Sequence, residues 1–237
     1  MFAIYKREMR SYFVSPIGYI YLAIFLAVSG VIFALTTLTQ GSAADIGAYF
    51  TYMLMSFFVV LPILTMKLFA DEKKQRTETL LISSPVSLMS MVCAKFFAAF
   101  SMFMIGFAAS LVNFIPFLYF ASGNPDGKTI LGSLLGLVLI AAAFIAVGVL
   151  VSALTENQLV AALGTMVILL LFVMVSAFNS SIDSYFVRSI LSWISVMDRF
   201  ALLTAGRFDV SAIVYFLSLC FAFLFTTVRV YEKRRWS

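Results

Sequence analysis

Apolar residues fill the chain in long uninterrupted runs, and this is the dominant pattern of the sequence. Six windows contain no charged residue: 11–44, 46–66, 96–125, 129–155, 157–182 and 210–228. A helix needs about 20 residues to cross a bilayer, and these windows lack the period-two alternation of membrane-barrel strands. The sequence therefore predicts an all-α integral membrane protein with one domain, 1–237, and six transmembrane helices at residues 17–38, 49–66, 92–120, 130–154, 159–178 and 210–228.

Two amphipathic segments accompany the spans. In residues 1–15, Tyr12 and other aromatic or apolar side chains recur at helical spacing, opposite Lys6, Arg7 and Arg10. This spacing predicts an N-terminal helix lying in the cytoplasmic interface, and a basic flank that only fixes topology is the alternative. Residues 184–206 also follow helical spacing and are too apolar for a plain loop. They predict outer helices that dip into the membrane without crossing it.

The segment 67–87 is the most charged internal stretch of the chain and lies between spans two and three. Near its middle, residues 76–83 are predicted to form a two-turn helix that stops before Pro85. Pro62, close to the end of span two, is expected to bend that span. A short polar helix at the mouth of a membrane bundle suits contact with a partner, and an ordinary solvated loop is the alternative. The position of Lys95 favours a span three whose first turn emerges into the cytoplasm.

Composition and charge fix the class and the orientation. Of the 237 residues, 63% are apolar and 11% are charged, against about 25% charged in an average soluble domain. Only Lys128, Arg188, Arg199 and Arg207, among 16 Lys and Arg residues, fall on the side opposite the termini and the segment 67–87. The positive-inside rule therefore places both termini and this segment in the cytoplasm. The net charge of +5 reflects this asymmetry and the anionic inner leaflet, and nucleic-acid binding is not expected.

Most site chemistry is missing from the sequence. The chain contains no histidine and two distant cysteines, which removes the commonest metal sites. The neutral windows hold no carboxylate or basic group for a proton relay. The sequence GNPDGKT, residues 123–129, has one residue too few for a phosphate-binding loop and is predicted to be a turn. A membrane enzyme is therefore disfavoured, and any work must be powered from outside the chain.

Small and polar residues in the spans leave two questions open. Gly132 and Gly136 form a GxxxG pair that allows close approach of another helix, which belongs either to this chain or to a second copy. Four polar residues in spans two and three are candidates to line a path, and they are equally suited to hydrogen bonds in helix packing. These residues are Thr51, Ser56, Thr65 and Asn113.

Four stretches, in this order and spacing, carry a resemblance to a known family. They are REMRSYFVSPIGYIYLAIFLAVSG (7–30), PILTMKLFADEKKQRTETLLISSPVS (62–87), AKFFAAF (94–100) and GVLVSALTENQLVAA (148–162). With the six-span layout they resemble the permease subunits of type-2 ATP-binding-cassette (ABC) exporters. Within these, the chain is most similar to the compact group that includes gliding-motility and nitrous-oxide-reductase-maturation permeases.

The resemblance implies roles for particular segments. Residues 1–15 correspond to the interfacial connecting helix, and residues 184–206 to re-entrant helices before the last span. Residues 71–83 correspond to a coupling helix that seats in a groove of a separate ATPase. The chain departs from the usual family pattern at Asp71 and Arg76, where Glu and Gly are common. The residues implied in ATPase contact are Asp71, Glu72, Lys73, Arg76, Thr77, Glu78 and Leu80.

The resemblance also implies partners and function. The permease has no catalytic site, metal or cofactor of its own, because ATP and Mg²⁺ bind the partner ATPase. The functional unit contains two ATPase copies, a second permease copy or paralogue, and in some cases an accessory ectodomain protein, in a bacterial cytoplasmic (inner) membrane. The expected function is ATP-driven export of a substrate. The alternative is a mechanotransmission module, in which the ATPase drives an extracytoplasmic partner through this chain without moving a substrate.

Overall fold

The computed structural model describes residues 1–38, 46–75, 87–113, 127–179, 195–206 and 209–235. Nine α-helices occupy these ranges. They are α1 (Phe2–Val14), α2 (Pro16–Phe33), α3 (Ile46–Thr65), α4 (Lys67–Lys74), α5 (Leu88–Ser110), α6 (Gly127–Leu154), α7 (Gln158–Asn179), α8 (Val196–Thr204) and α9 (Val210–Arg235). A π-helical turn, Ala34–Leu38, follows α2, and a 3-10 turn, Leu111–Asn113, follows α5.

Six helical stretches within the described ranges are long and apolar enough to cross a membrane. They are Pro16–Thr37, Gly47–Lys74, Leu88–Asn113, Gly127–Leu154, Gln158–Ser176 and Val210–Arg235. The prediction of an all-helical fold with six helices able to span a membrane is therefore confirmed for the described residues. Span two continues beyond the expected residue 66, because α4 follows α3 after a single residue, Met66. Span three begins at Leu88, because Ser87 caps that helix by accepting a hydrogen bond from the backbone N–H of Ser90.

The long helix α6 forms the centre of the bundle and packs against α3, α4, α5, α7, α8 and α9. Apolar side chains lie on every face of this helix, as expected for a helix surrounded by protein. By contrast, α2, α7 and α9 leave most of their surface open. These helices form the outside of the bundle.

The GxxxG pair of α6 closes on a helix of the same chain. A Cβ atom on Gly132 would stand 2.3 Å from the carbonyl oxygen of Leu203, and one on Gly136 would stand 3.1 Å from the ring of Phe200. Both contacts lie on α8, whose side chains Phe200 and Leu203 are buried. The helix that approaches the GxxxG pair therefore belongs to this chain. Of the predicted outer segment 184–206, residues 184–194 lie outside the described ranges.

The N-terminal helix α1 packs against α5 and α2. Tyr12 is buried in the bundle and donates a hydrogen bond to the carbonyl oxygen of Leu64, at 3.1 Å. Tyr5 donates to Ser101 of α5, at 3.0 Å. The apolar face of α1 therefore contacts the bundle. Lys6 and Arg10 are exposed on the other side, as the sequence pattern indicates.

Candidate functional site

Helix α4 is short and amphipathic, and six other helices of the chain contact it. Leu68, Phe69 and Ala70 are buried, and Lys73 and Lys74 occupy the last turn, where positive charge suits the helix dipole. The ring of Phe69 lies 5.0 Å from that of Tyr231 in α9. The remaining contacts of α4 are polar and reach α1, α5, α6 and α7.

Four charged side chains join α4 to α1 and α5. Arg7 Nη2 lies 2.8 Å from both Glu8 Oε1 and Glu72 Oε1, while Lys95 Nζ lies 3.1 Å from Glu8 and 2.9 Å from Glu72. We call these residues the ion-pair cluster. Two positive and two negative charges alternate in it, so each carboxylate faces two cations. The cluster fixes α4 against two neighbouring helices at once.

Lys95 is the buried member of the ion-pair cluster, with 1% of its side chain exposed. Its ammonium group also donates to the carbonyl oxygen of Leu68, at 2.6 Å, and lies 4.9 Å from the ring centre of Phe69. All of these partners are favourable for a buried cation, which is costly without them. The sequence had favoured an emerging first turn at Lys95, whereas the structure shows this side chain enclosed by α1 and α4.

The cluster also sets the ionisation of Glu8 and Arg7. Burial opposes the charged form of Glu8, but the charge of Lys95 and hydrogen bonds from Arg7 and Lys95 outweigh it, so the pKa of Glu8 lies below its usual value. For Arg7, burial lowers the pKa, but the two carboxylates outweigh this effect and raise it. Both groups are therefore held in their charged forms.

On its other side, α4 is bonded to the end of α6 and the start of α7. Lys73 is buried, and its ammonium group donates to the carbonyl oxygen of Ala153 in the last turn of α6, at 2.5 Å. Asp71 accepts a hydrogen bond from the side-chain amide of Gln158 at the start of α7. The predicted ATPase-contacting residues Asp71, Glu72 and Lys73 thus make bonds within the chain. Arg76, Thr77, Glu78 and Leu80 lie outside the described residues.

An open groove lies between the end of α4 and the α6–α7 turn. Its volume is about 620 Å³, and its lining residues are Lys73, Lys74, Glu156, Asn157, Gln158 and Leu159. The turn is held by Thr155, which accepts from the Asn157 N–H at 3.0 Å, and by Asn157, which accepts from the Leu159 N–H at 2.9 Å. The groove therefore combines an ordered turn with exposed charges of both signs at Lys74 and Glu156.

The candidate path-lining residues have separate hydrogen-bond partners. Thr51, Ser56 and Thr65 each donate to a carbonyl oxygen in their own helix, α3. Asn113, at the end of the 3-10 turn, donates to Ser29 of α2, at 3.1 Å. The four residues are not brought together into one polar wall in the part of the chain that the structure describes.

Three important residues, Glu8, Lys95 and Ser152, were not predicted as site residues. Glu8 is the only acidic residue before Asp45, and Lys95 is the only charged residue between Glu78 and Asp126. An isolated charge of each sign near the same side of the membrane was a signal for a pair. Ser152, which accepts hydrogen bonds from backbone N–H groups of α4, gave no signal beyond its small size. Among the described residues, no group of His, Cys, Asp and Glu side chains could hold a metal ion.

A family model described as "ABC-2 type transporter" matches residues 1–206. This match covers well over half of the 237 residues. No curated protein sequence matches the chain.

Proposed function

Because this chain belongs to the ABC-2 type transporter family, a family of multi-pass membrane proteins, we propose that it is the permease subunit of an ATP-driven exporter. A separate cytoplasmic ATPase supplies the energy and binds ATP and Mg²⁺. It docks at the groove beside α4 and at the segment that follows α4, which contains Arg76, Thr77, Glu78 and Leu80. Within the family, the compact gliding-motility and nitrous-oxide-reductase-maturation group remains the proposed subgroup.

The observation that carries this proposal is the position of α4 as a junction. Through Glu72 it is bonded to α1 and α5, and through Asp71 and Lys73 to the α6–α7 turn. A force applied to α4 therefore reaches four other helices through charged or hydrogen-bonded contacts. In this proposal, Asp71, Glu72 and Lys73 orient α4 from within the chain, and the ATPase contacts the exposed residues next to them.

The mechanism requires two permease copies and two ATPase copies. ATP binding closes the ATPase pair and moves the two α4 helices together, and α3 and α7 of each permease tilt in response. The permease equilibrium then shifts between two packings, which requires only that the ATPase favours one of them by a few kcal/mol. The open apolar surfaces of α2 and α7 suit the second copy and the lipid of a bacterial cytoplasmic membrane.

Co-purification from the native membrane tests the proposal. The tagged chain is solubilised, and a P-loop ATPase is sought by mass spectrometry and by ATP hydrolysis. The variant Lys74→Glu with Leu159→Asp alters the groove, and Arg235→Glu, at the exposed end of α9, is the control with the same charge change as Lys74→Glu. We expect at least a tenfold loss of bound ATPase in the groove variant and none in the control. Absence of any ATPase from the unmodified chain would contradict the proposal.

A further inference from the structure

The joint between α3 and α4 lies within one long span, Gly47–Lys74. Pro62 lies inside α3 and has no N–H, so it cannot donate to the preceding turn and weakens the helix there. Four residues later, Met66 separates α3 from α4, while its backbone angles stay helical and its N–H donates to the carbonyl oxygen of Pro62, at 2.9 Å. A helix weakened by proline inside a bundle leaves backbone polar groups that need partners from neighbouring helices.

One side chain of α6 supplies these partners. Ser152 Oγ accepts hydrogen bonds from the backbone N–H groups of Phe69, at 3.0 Å, and Ala70, at 3.2 Å. Its hydroxyl donates to the carbonyl oxygen of Met66, at 3.1 Å. A serine hydroxyl has one donor and two acceptor positions, and all three are used here. Ser152 is completely buried, so water does not compete for these bonds.

The sequence of α6 brings Ser152 to the joint. Gly148 lies one turn earlier on the same face, and a Cβ atom there would stand 2.2 Å from Thr65 Oγ1. Only glycine at this position allows the α6 backbone to approach the end of α3 so closely. The hydroxyl of Thr65 is directed to its own helix, where it donates to the carbonyl oxygen of Leu61. The contact across the joint is thus made by Ser152.

The two sides of the joint are held by different helices. On the α3 side, Tyr12 of α1 donates to the carbonyl oxygen of Leu64. On the α4 side, Lys95 of α5 donates to the carbonyl oxygen of Leu68. Ser152 is the residue that bonds to both Met66 and the first turn of α4. Its hydrogen bonds therefore span the joint between α3 and α4.

We propose that Ser152 is a positioning residue that acts as the pivot of a hinge between α3 and α4. When α4 swings, the N–H group of Phe69 exchanges between Ser152 Oγ and the carbonyl oxygen of Thr65, one helical turn before it. Backbone bonds are replaced rather than lost, so the two arrangements are close in free energy. The role of this hinge in transport rests on the proposed function, whereas its existence does not.

Distance measurement in the purified full chain tests the hinge without the ATPase. Spin labels are placed at the exposed positions Tyr52 of α3 and Gln75, directly after α4 and outside the groove lining, after replacement of Cys93 and Cys220 by alanine. A straight helix would separate these positions by about 35 Å, at about 1.5 Å per residue. The variant is Ser152→Ala. The matched control is Ser133→Ala, because Ser133 is also fully buried in α6 but donates only to Thr129 of its own helix.

We expect Ser152→Ala to shift or broaden the distance distribution, and Ser133→Ala to reproduce that of the unmodified chain. A Ser152→Ala distribution that superimposes on the unmodified one overturns the hinge, and so does an equal change in both variants.

The ATPase experiment separates the two proposals. If an ATPase co-purifies, Ser152→Ala is expected to retain it, while the change in the label distance on ATP binding falls at least twofold. Retention of the full change means that Ser152 is not the pivot. If no ATPase binds the unmodified chain, the proposed function fails, and the measurements on the isolated chain still decide whether the hinge exists.

Discussion

The two ends of α6 are attached to the rest of the bundle by different chemistry. At one end, Gly132 lies directly against the backbone carbonyl of Leu203, and Gly136 lies against the ring of Phe200, both in α8. At the other end, Ser152 and the carbonyl oxygen of Ala153 bond to α4 through directional hydrogen bonds. Close packing resists any displacement, because interiors have little free volume. Hydrogen bonds and ion pairs can exchange partners, so the α4 end is the one suited to movement.

The ion-pair cluster distinguishes the α4 end most clearly, and its removal should have the largest effect. In Lys95→Met the carboxylates of Glu8 and Glu72 lose their buried cation. Breaking a buried ion pair on one side costs about 3–5 kcal/mol. We expect a large fall in the melting temperature of the purified chain, measured by intrinsic fluorescence during heating. Arg229→Met, which breaks the exposed pair with Glu232, is the control and should change little.

At the end of α6 that packs against α8, a larger side chain should lower the stability of the chain through steric overlap. In Gly132→Ala the new Cβ meets the backbone carbonyl of Leu203 at 2.3 Å, so α6 and α8 must separate. Overpacking of this kind costs about 1–3 kcal/mol. Gly30→Ala is the control, because no atom lies within 4 Å of its added Cβ. Equal melting temperatures for the two variants would show that the α8 end is less tightly packed than the structure indicates.

The sequence predicted those features that the bilayer itself imposes. Long neutral windows must become helices, since lipid offers no hydrogen-bond partners to the backbone, and the six spans follow from this. The amphipathic spacing of α1 also predicted a helix, because the exposed Lys6 and Arg10 share one face.

The tertiary contacts were not predictable in the same way. The pairing of Glu8 with Lys95 joins residues far apart in the chain, and no local pattern encodes it. In the sequence, Ser152 resembles any small residue of a tightly packed helix. Its hydrogen bonds depend on the joint between α3 and α4, which the sequence did not predict. The sequence predicted only a bend at Pro62 in this region.

Removal of the Tyr12 hydroxyl, near the joint between α3 and α4, should cause a loss of stability of intermediate size. Tyr12→Phe keeps the buried ring but leaves the carbonyl oxygen of Leu64 without this donor. The expected loss of stability is about 0.5–1.5 kcal/mol, the usual net value of one hydrogen bond. Tyr19→Phe is the control, since Tyr19 is exposed. Thermal unfolding should separate the two variants, and an equal stability would mean that the Tyr12 bond contributes nothing to the joint.

The smallest expected effect is a pH dependence of stability that comes from Glu8 in the ion-pair cluster. The pKa of Glu8 is lower in the folded chain than its usual value, which is about 4.3 in an unfolded chain. Unfolding in acid therefore takes up a proton at Glu8. The stabilisation from this residue is complete above about pH 4.3 and is lost as the pH falls through the folded pKa.

Comparison with Glu8→Gln isolates this contribution, because the other titrating groups are present in both chains and largely cancel. The difference in melting temperature should be constant from about pH 7 to pH 5 and should shrink below about pH 4.3. A difference that grows on acidification would mean that the folded pKa of Glu8 is raised. Burial would then outweigh the two cations, and the ion-pair cluster would not hold α4 as the structure describes.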